Sequence, residues 1–122
     1  MPDDDLKDYA EIRLDRVRRL RFGWGEIREL SRRLGGASLQ SIVNKLTEAD
    51  PEAITAALML GLRGEADLRR ATVERIDELI DGYFKREGED AGLANLLAAI
   101  TEAIQAHGVL RTRKKPDAPG NP

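Results

Sequence analysis

The stretch "RLRFGWGEIRELSRRLGG", Arg19 to Gly36, decides how this chain is read. It holds the single tryptophan, Trp24, between Gly23 and Gly25. Arg16, Arg18, Arg19, Arg21, Arg28, Arg32 and Arg33 lie in it or just before it. Three roles are open to it: a ligand loop, a grip on nucleic acid, or the joint between two structural elements.

Its second half is the easier part. Trp24, Ile27, Leu30 and Leu34 recur at helical spacing, and Gly35-Gly36 supplies a stop. The residues before Trp24 are ambiguous. In "EIRLDRVRRLRF", Ala10, Leu14, Val17 and Trp24 align roughly as a helix face. The same residues make two short strands around a turn at Asp15-Arg16-Val17. Ile12 and Leu14 then share a sheet face with Leu20 and Phe22. Local propensity leans to helix, because Ile12 and Val17 are the β-branched residues there. The residues alone leave both readings open.

Downstream the pattern is plainly helical. "SLQSIVNKLT" puts Leu39, Ile42, Val43 and Leu46 on one face of a short helix. "DPEAITAALMLGLRG" opens with Asp50 as N-cap and Pro51 at the first helical position, a strong start signal. Its body is apolar nearly all round (Ile54, Ala57, Leu58, Met59, Leu60, Leu62), as in a central, buried helix, and it ends near Gly61 to Gly64. "TVERIDELIDGYFKRE" starts on a Thr72 cap. Its stripe is Val73, Ile76, Ile80, Tyr83 and Phe84, with Glu74, Asp77, Glu78 and Asp81 on the other side. "GLANLLAAITEAIQAHG" aligns Leu93, Leu96, Leu97, Ile100, Ala103 and Ile104 before Gly108. The expectation is a mainly α domain over residues 9–110. Residues 1–8 are expected to be a flexible N-terminus, and residues 111–122 a disordered basic, Pro-rich tail.

Composition excludes several function classes. The chain has 122 residues, 34% charged and 4% aromatic, and no cysteine, so it offers no thiolate ligand, disulfide or thiol nucleophile. The N-terminus "MPDDDLKDYA" is acidic and lacks an apolar core, so no signal peptide is expected there. No apolar run approaches the roughly 18 residues of a membrane span. A soluble, cytoplasmic protein is expected. The net charge of −2 hides an asymmetry. Arg13 to Arg33 carries eight arginines against three acids, and Glu48 to Asp90 carries twelve acids against six bases. Complementary faces of this kind suit a partner or self-association, or pair within the monomer.

Catalysis needs convergent groups that are not evident here. His107 is the single histidine and reads as a helix-end residue. Asp77, Glu78 and Asp81 could support two-carboxylate chemistry, but they read better as a solvated face. "FGWG" lacks the third glycine and the strand–helix–strand setting of a phosphate loop. No enzyme activity, metal or cofactor is expected. The sharper rival is a nucleic-acid module using segment 13–33, where Arg16, Arg18, Arg19 and Arg21 interleave with Phe22 and Trp24. Against it, a core short of aromatics claims the few it has.

The order of elements resembles the small tail assembly chaperones of long-tailed phages and gene transfer agents. "EIRLDRVRRLRFGWGEIRELSRRLGG" is similar to that family's opening: a strand, a turn, a strand ending in Leu-Arg-Phe, then a helix ending in Leu-Gly. "SLQSIVNKL", "ITAALMLGLRGE", "TVERIDELIDGYF" and "LANLLAAITEAIQAHGVL" resemble the four helices that follow. The likeness runs from about Glu11 to Leu110, as an ordered series without one diagnostic motif. One departure stands out: Arg16 occupies a turn position that often carries glycine, which is unfavourable if φ must be positive there.

The resemblance implies a short N-terminal β-hairpin before about five helices, an α+β fold in a small single domain. On that reading Arg19 to Phe22 is the second strand, Gly23 and Gly25 let the chain turn, Trp24 folds into the core, and the arginines are exposed. It also implies a non-catalytic protein that binds the tape measure protein, helps recruit tail tube subunits and leaves the finished particle. A homo-oligomer around the client and a longer frameshifted product, with Lys114-Lys115 as a slippery site, are further implications. The candidate partner-binding residues are Arg18, Arg19 and Arg21 on the hairpin, or Glu74, Glu78 and Asp81 beside apolar surface on the last two helices. Nucleic acid and membrane are not expected partners.

Overall fold

A computed structural model describes residues 8–106. Most of the expected loose N-terminus, His107, Lys114-Lys115 and the basic tail lie outside the described residues. Two strands, β1 (Tyr9–Arg13) and β2 (Val17–Arg21), form an antiparallel hairpin. Five helices follow: α1 (Trp24–Arg33), α2 (Leu39–Thr47), α3 (Pro51–Gly61), α4 (Val73–Glu87) and α5 (Glu89–Ala106). A 3-10 turn, Ala66–Leu68, lies between α3 and α4. The fold is mainly α, with the hairpin in front.

The hairpin, not the helical alternative, is what residues 10–22 form. Alternation decides it. Ala10, Ile12, Leu14, Arg18, Leu20 and Phe22 face inward, and the residues between them are exposed. A helix would scatter this set around its axis. The turn sits one residue earlier than the spacing suggests, at Leu14-Asp15-Arg16, so Arg13 pairs with Val17 and Ile12 with Arg18. Arg16 has no positive φ, and the loop closes through the Leu14 N–H donating to the Arg16 carbonyl at 3.0 Å. The glycine missing from this turn is therefore not needed.

The helix starts follow the caps read from sequence. Asp50 accepts from the Glu52 N–H at 3.1 Å with Pro51 behind it, and Thr72 accepts from the Arg75 N–H at 3.2 Å. Ser38 caps α2 in the same way at 3.0 Å. At Gly23 the cap is made by Glu26, whose carboxylate accepts the Gly23 N–H at 2.9 Å. The backbone at Gly23 is extended and at Gly25 has no positive φ, so neither glycine supplies the special turn expected of it. Among the described glycines, positive φ is found instead at Gly35 and Gly36, which end α1, and at Gly88.

α3 is the central helix, touching the other four helices and β2. Ala53, Ile54, Ala57, Leu58 and Leu60 are buried along it, with Leu62 just beyond. Its last residue, Gly61, passes close beneath the hairpin: a Cβ there would stand 2.9 Å from Phe22 Cζ. The hairpin also lies along α5, whose buried side is Gly92, Leu96, Ala99, Ile100, Ala103 and Ile104. Both strands and all five helices contribute to one core.

Three expectations about faces need correction. Trp24 is not core: it is 53% exposed. As the first residue of α1 it stands at the edge of the core, lining a surface hollow with Ile27, Leu39 and Ile42. Val73, first in α4, is likewise 47% exposed. In α4 the buried stripe is Ile76, Leu79 and Tyr83, while Ile80 and Phe84 are half-buried. α5 begins three residues earlier than read, because Gly88, at φ 89°, is the whole joint between α4 and α5.

Candidate functional site

The predicted site residues fall in two places. The first is the hairpin. Arg18 was expected on the surface, and this is overturned: it is 1% exposed. It shares its strand face with Leu20 and Phe22, which the core claims, so it must point inward too. Its guanidinium is fully used. Nε donates to Asp15 at 2.9 Å and Nη2 to Asp15 at 2.8 Å and Asp67 at 2.9 Å. Nη1 donates to Glu65 at 3.0 Å and Asp67 at 2.7 Å. All five N–H donors of the side chain are satisfied.

Three carboxylates around one cation leave negative charge over. Arg16 on Asp67 at 3.3 Å and Arg75 near Asp15 at 3.9 Å offset it. The Arg18 guanidinium holds both Asp15 and Asp67 below the usual carboxylate range, Asp67 down to about 2, and its own pKa rises. The cluster ties the hairpin to the 3-10 turn, whose Leu68 is buried. Glu65 and Asp67 escaped the sequence reading because they lie 47 and 49 residues from Arg18. The readable signal was the strand alternation that places Arg18 inward.

Arg19 and Arg21 are exposed, as expected. Arg19 stacks on the Tyr9 ring at 4.6 Å, and Arg21 lies 3.4 Å from Asp8. Arg18 does not join them in a shared outward patch.

The second place is a groove along α3 and α4. One hollow, with a cavity volume of about 420 Å³, is walled by Ile54, Ile80, Phe84 and Leu93 with Asp77 and Asp81 on its rim. A second, of about 320 Å³, is walled by Leu34, Ala56, Met59 and Val73 with Glu52 on its rim and Arg33 at its end. The two share Pro51, Thr55 and Asp77, so they adjoin and together make a trough along α3 and α4. From Val73 to Phe84 it runs about three helical turns, or about 17 Å.

Four carboxylates are held by arginines between elements, and several other described acids form no ion pair. Asp15, Glu29, Glu65 and Asp67 each hold an arginine. Glu29 bridges Arg33 at 2.8 Å and Arg63 at 3.2 Å, and Arg63 foremost keeps its carboxyl below the ordinary range. Among the described residues none pairs with Glu52, Asp77 or Asp81. Of the predicted acidic residues, Asp81 lines the groove, Glu78 lies 3.8 Å from Arg75, and neither Glu78 nor Glu74 lines the trough. Asp77 belongs to the site in their place.

Among the described residues no group of His, Cys, Asp or Glu is arranged to hold a metal ion. No helix there is long and apolar enough to cross a membrane. No protein-family model, curated protein or solved structure matches this chain.

Proposed function

We propose that this chain is a non-catalytic tail assembly chaperone of a phage, prophage or gene transfer agent. It acts in the cytoplasm of the bacterial host and binds the tape measure protein while the tail tube assembles. The observation that carries this reading is the half-apolar trough along α3 and α4, about three helical turns long, which offers an apolar wall to one face of a client helix. Long helical clients expose apolar stripes that aggregate unless covered. Recruitment of the tail tube protein, self-association around the client and a longer frameshifted product extend the same proposal. The nucleic-acid reading is weaker, because its central residue, Arg18, is buried among three carboxylates.

Co-expression with the tape measure protein of the same genome, followed by affinity purification and sizing, tests the proposal. The expected result is a soluble complex of fixed stoichiometry, with the client insoluble when expressed alone. A client that stays insoluble while this chain elutes by itself would count against it.

A further inference from the structure

We infer that the trough selects an amphipathic helix by charge as well as by shape. Its occupant is a helical segment of another protein with an apolar stripe about three turns long. Lysine or arginine side chains flank the stripe, two of them one helical turn apart. This rests on the trough being the client site.

Three observations lead there. The trough floor is apolar and partly exposed: Met59, Ile80, Phe84 and Leu93 are partly buried residues packed on the core rather than sealed within it. Asp77 and Asp81 stand on its rim four residues apart on α4. Like charges at that spacing disfavour a helix. Elsewhere in the domain, carboxylates on inter-element contacts are neutralised by arginine. On the trough rim Glu52, Asp77 and Asp81 form no ion pair among the described residues, and the arginine in the trough lining, Arg33, is held by Glu29. A partner's cations opposite Asp77 and Asp81 remove that repulsion, and the rim thereby sets the register of the apolar stripe. A helix flanked by glutamate fits the same trough in shape and is repelled.

The test uses the full chain and two synthetic helical peptides of about 18 residues, long enough to cover the trough. Both carry the same leucine–alanine stripe, one flanked by lysines and the other by glutamates. Fluorescence anisotropy of labelled peptide is expected to show the lysine peptide binding about tenfold more tightly, the scale of two partly exposed ion pairs. The double variant Asp77→Lys/Asp81→Lys is expected to reverse the preference. Asp77→Asn/Asp81→Asn, which removes the like-charge pair and should keep the fold, is expected to abolish it. Equal binding of both peptides, binding of neither, or a preference unmoved by the reversal would overturn the inference.

Co-expression of the tape measure protein with the native chain and with the reversal variant separates the two levels. A client solubilised equally by both leaves the chaperone reading standing and removes charge selection. A client solubilised by neither removes the chaperone reading, whatever the peptides do.

Discussion

Arg18 shows how one residue can look like a binding group and be a structural one. A buried guanidinium is unfavourable unless its donors are satisfied, and here each donor meets a carboxylate oxygen. Arg18→Ala would leave Asp15, Glu65 and Asp67 facing one another. Because those carboxylates are partly exposed, the expected cost is about 2–4 kcal/mol, below the largest losses seen for sealed pairs. Arg18→Lys should recover less than half of it, since an ammonium cannot serve three carboxylates in one plane. Urea unfolding monitored by circular dichroism measures both. A loss under about 0.5 kcal/mol for Arg18→Ala, the range of ordinary surface changes, would contradict the role. Trp24 is the reverse case. It looks like core by type and spacing, yet its position at the start of α1 keeps half of it in water.

At the scale of elements, the hairpin is held by what lies beneath it. Leu20 and Phe22 rest on the end of α3, and the absence of a side chain at Gly61 sets how closely they approach. Gly61→Ala therefore has two opposed effects. Alanine favours the helix, by less than the roughly 1 kcal/mol of an interior position, because Gly61 is the last residue of α3. Its Cβ would also meet Phe22 Cζ at 2.9 Å and Leu20 Cδ2 at 3.1 Å. Both neighbours are fully packed, so the overpacking cost of about 1–3 kcal/mol should win. A lowered melting temperature is expected, and an unchanged or raised one would show that the hairpin can lift at little cost. Much of this level was legible in advance: the caps at Asp50 and Thr72, the stop at Gly35-Gly36 and the apolar body of α3 were read correctly from local sequence. The choice between hairpin and helix was not, because both periods fit residues 10–22. The core contacts of Leu14, Leu20 and Phe22 decide it.

The whole molecule separates its charges. Arginines and carboxylates neutralise each other around the hairpin and between α1 and α3, whereas the acids along the trough, like several others on the described surface, stay unpaired. Stability should follow pH accordingly. Asp15, Asp67 and Glu29 all have folded pKa values below their ordinary 3.8, 3.8 and 4.5. In that window the unfolded chain binds more protons than the folded one, so stability falls as pH falls. The contribution is complete above about pH 5 and is lost progressively as pH drops toward about 2, where Asp67 titrates in the folded protein. Melting temperatures at about pH 7, 4 and 3 should decline for the native chain. The decline should be shallower for Arg18→Met, which removes the main cause of the Asp15 and Asp67 shifts and leaves the Glu29 pairs in place. Equal slopes for the two proteins would place the acid sensitivity elsewhere.

By itself the sequence determined the helices, the caps at Asp50 and Thr72 and most of the inward faces, because these depend on residues within a turn or two of one another. It also marked α4 as an acidic helix and chose Asp81 correctly, but it named Glu74 and Glu78 where the trough takes Asp77. Only the tertiary structure decided the hairpin, the burial of Arg18 and the two hollows joined at Thr55 and Asp77. Each of these depends on partners dozens of residues away. A strand's face is set by the layer it packs against, and a buried charge by carboxylates on another loop. A groove is the space left between helices, which no residue carries alone.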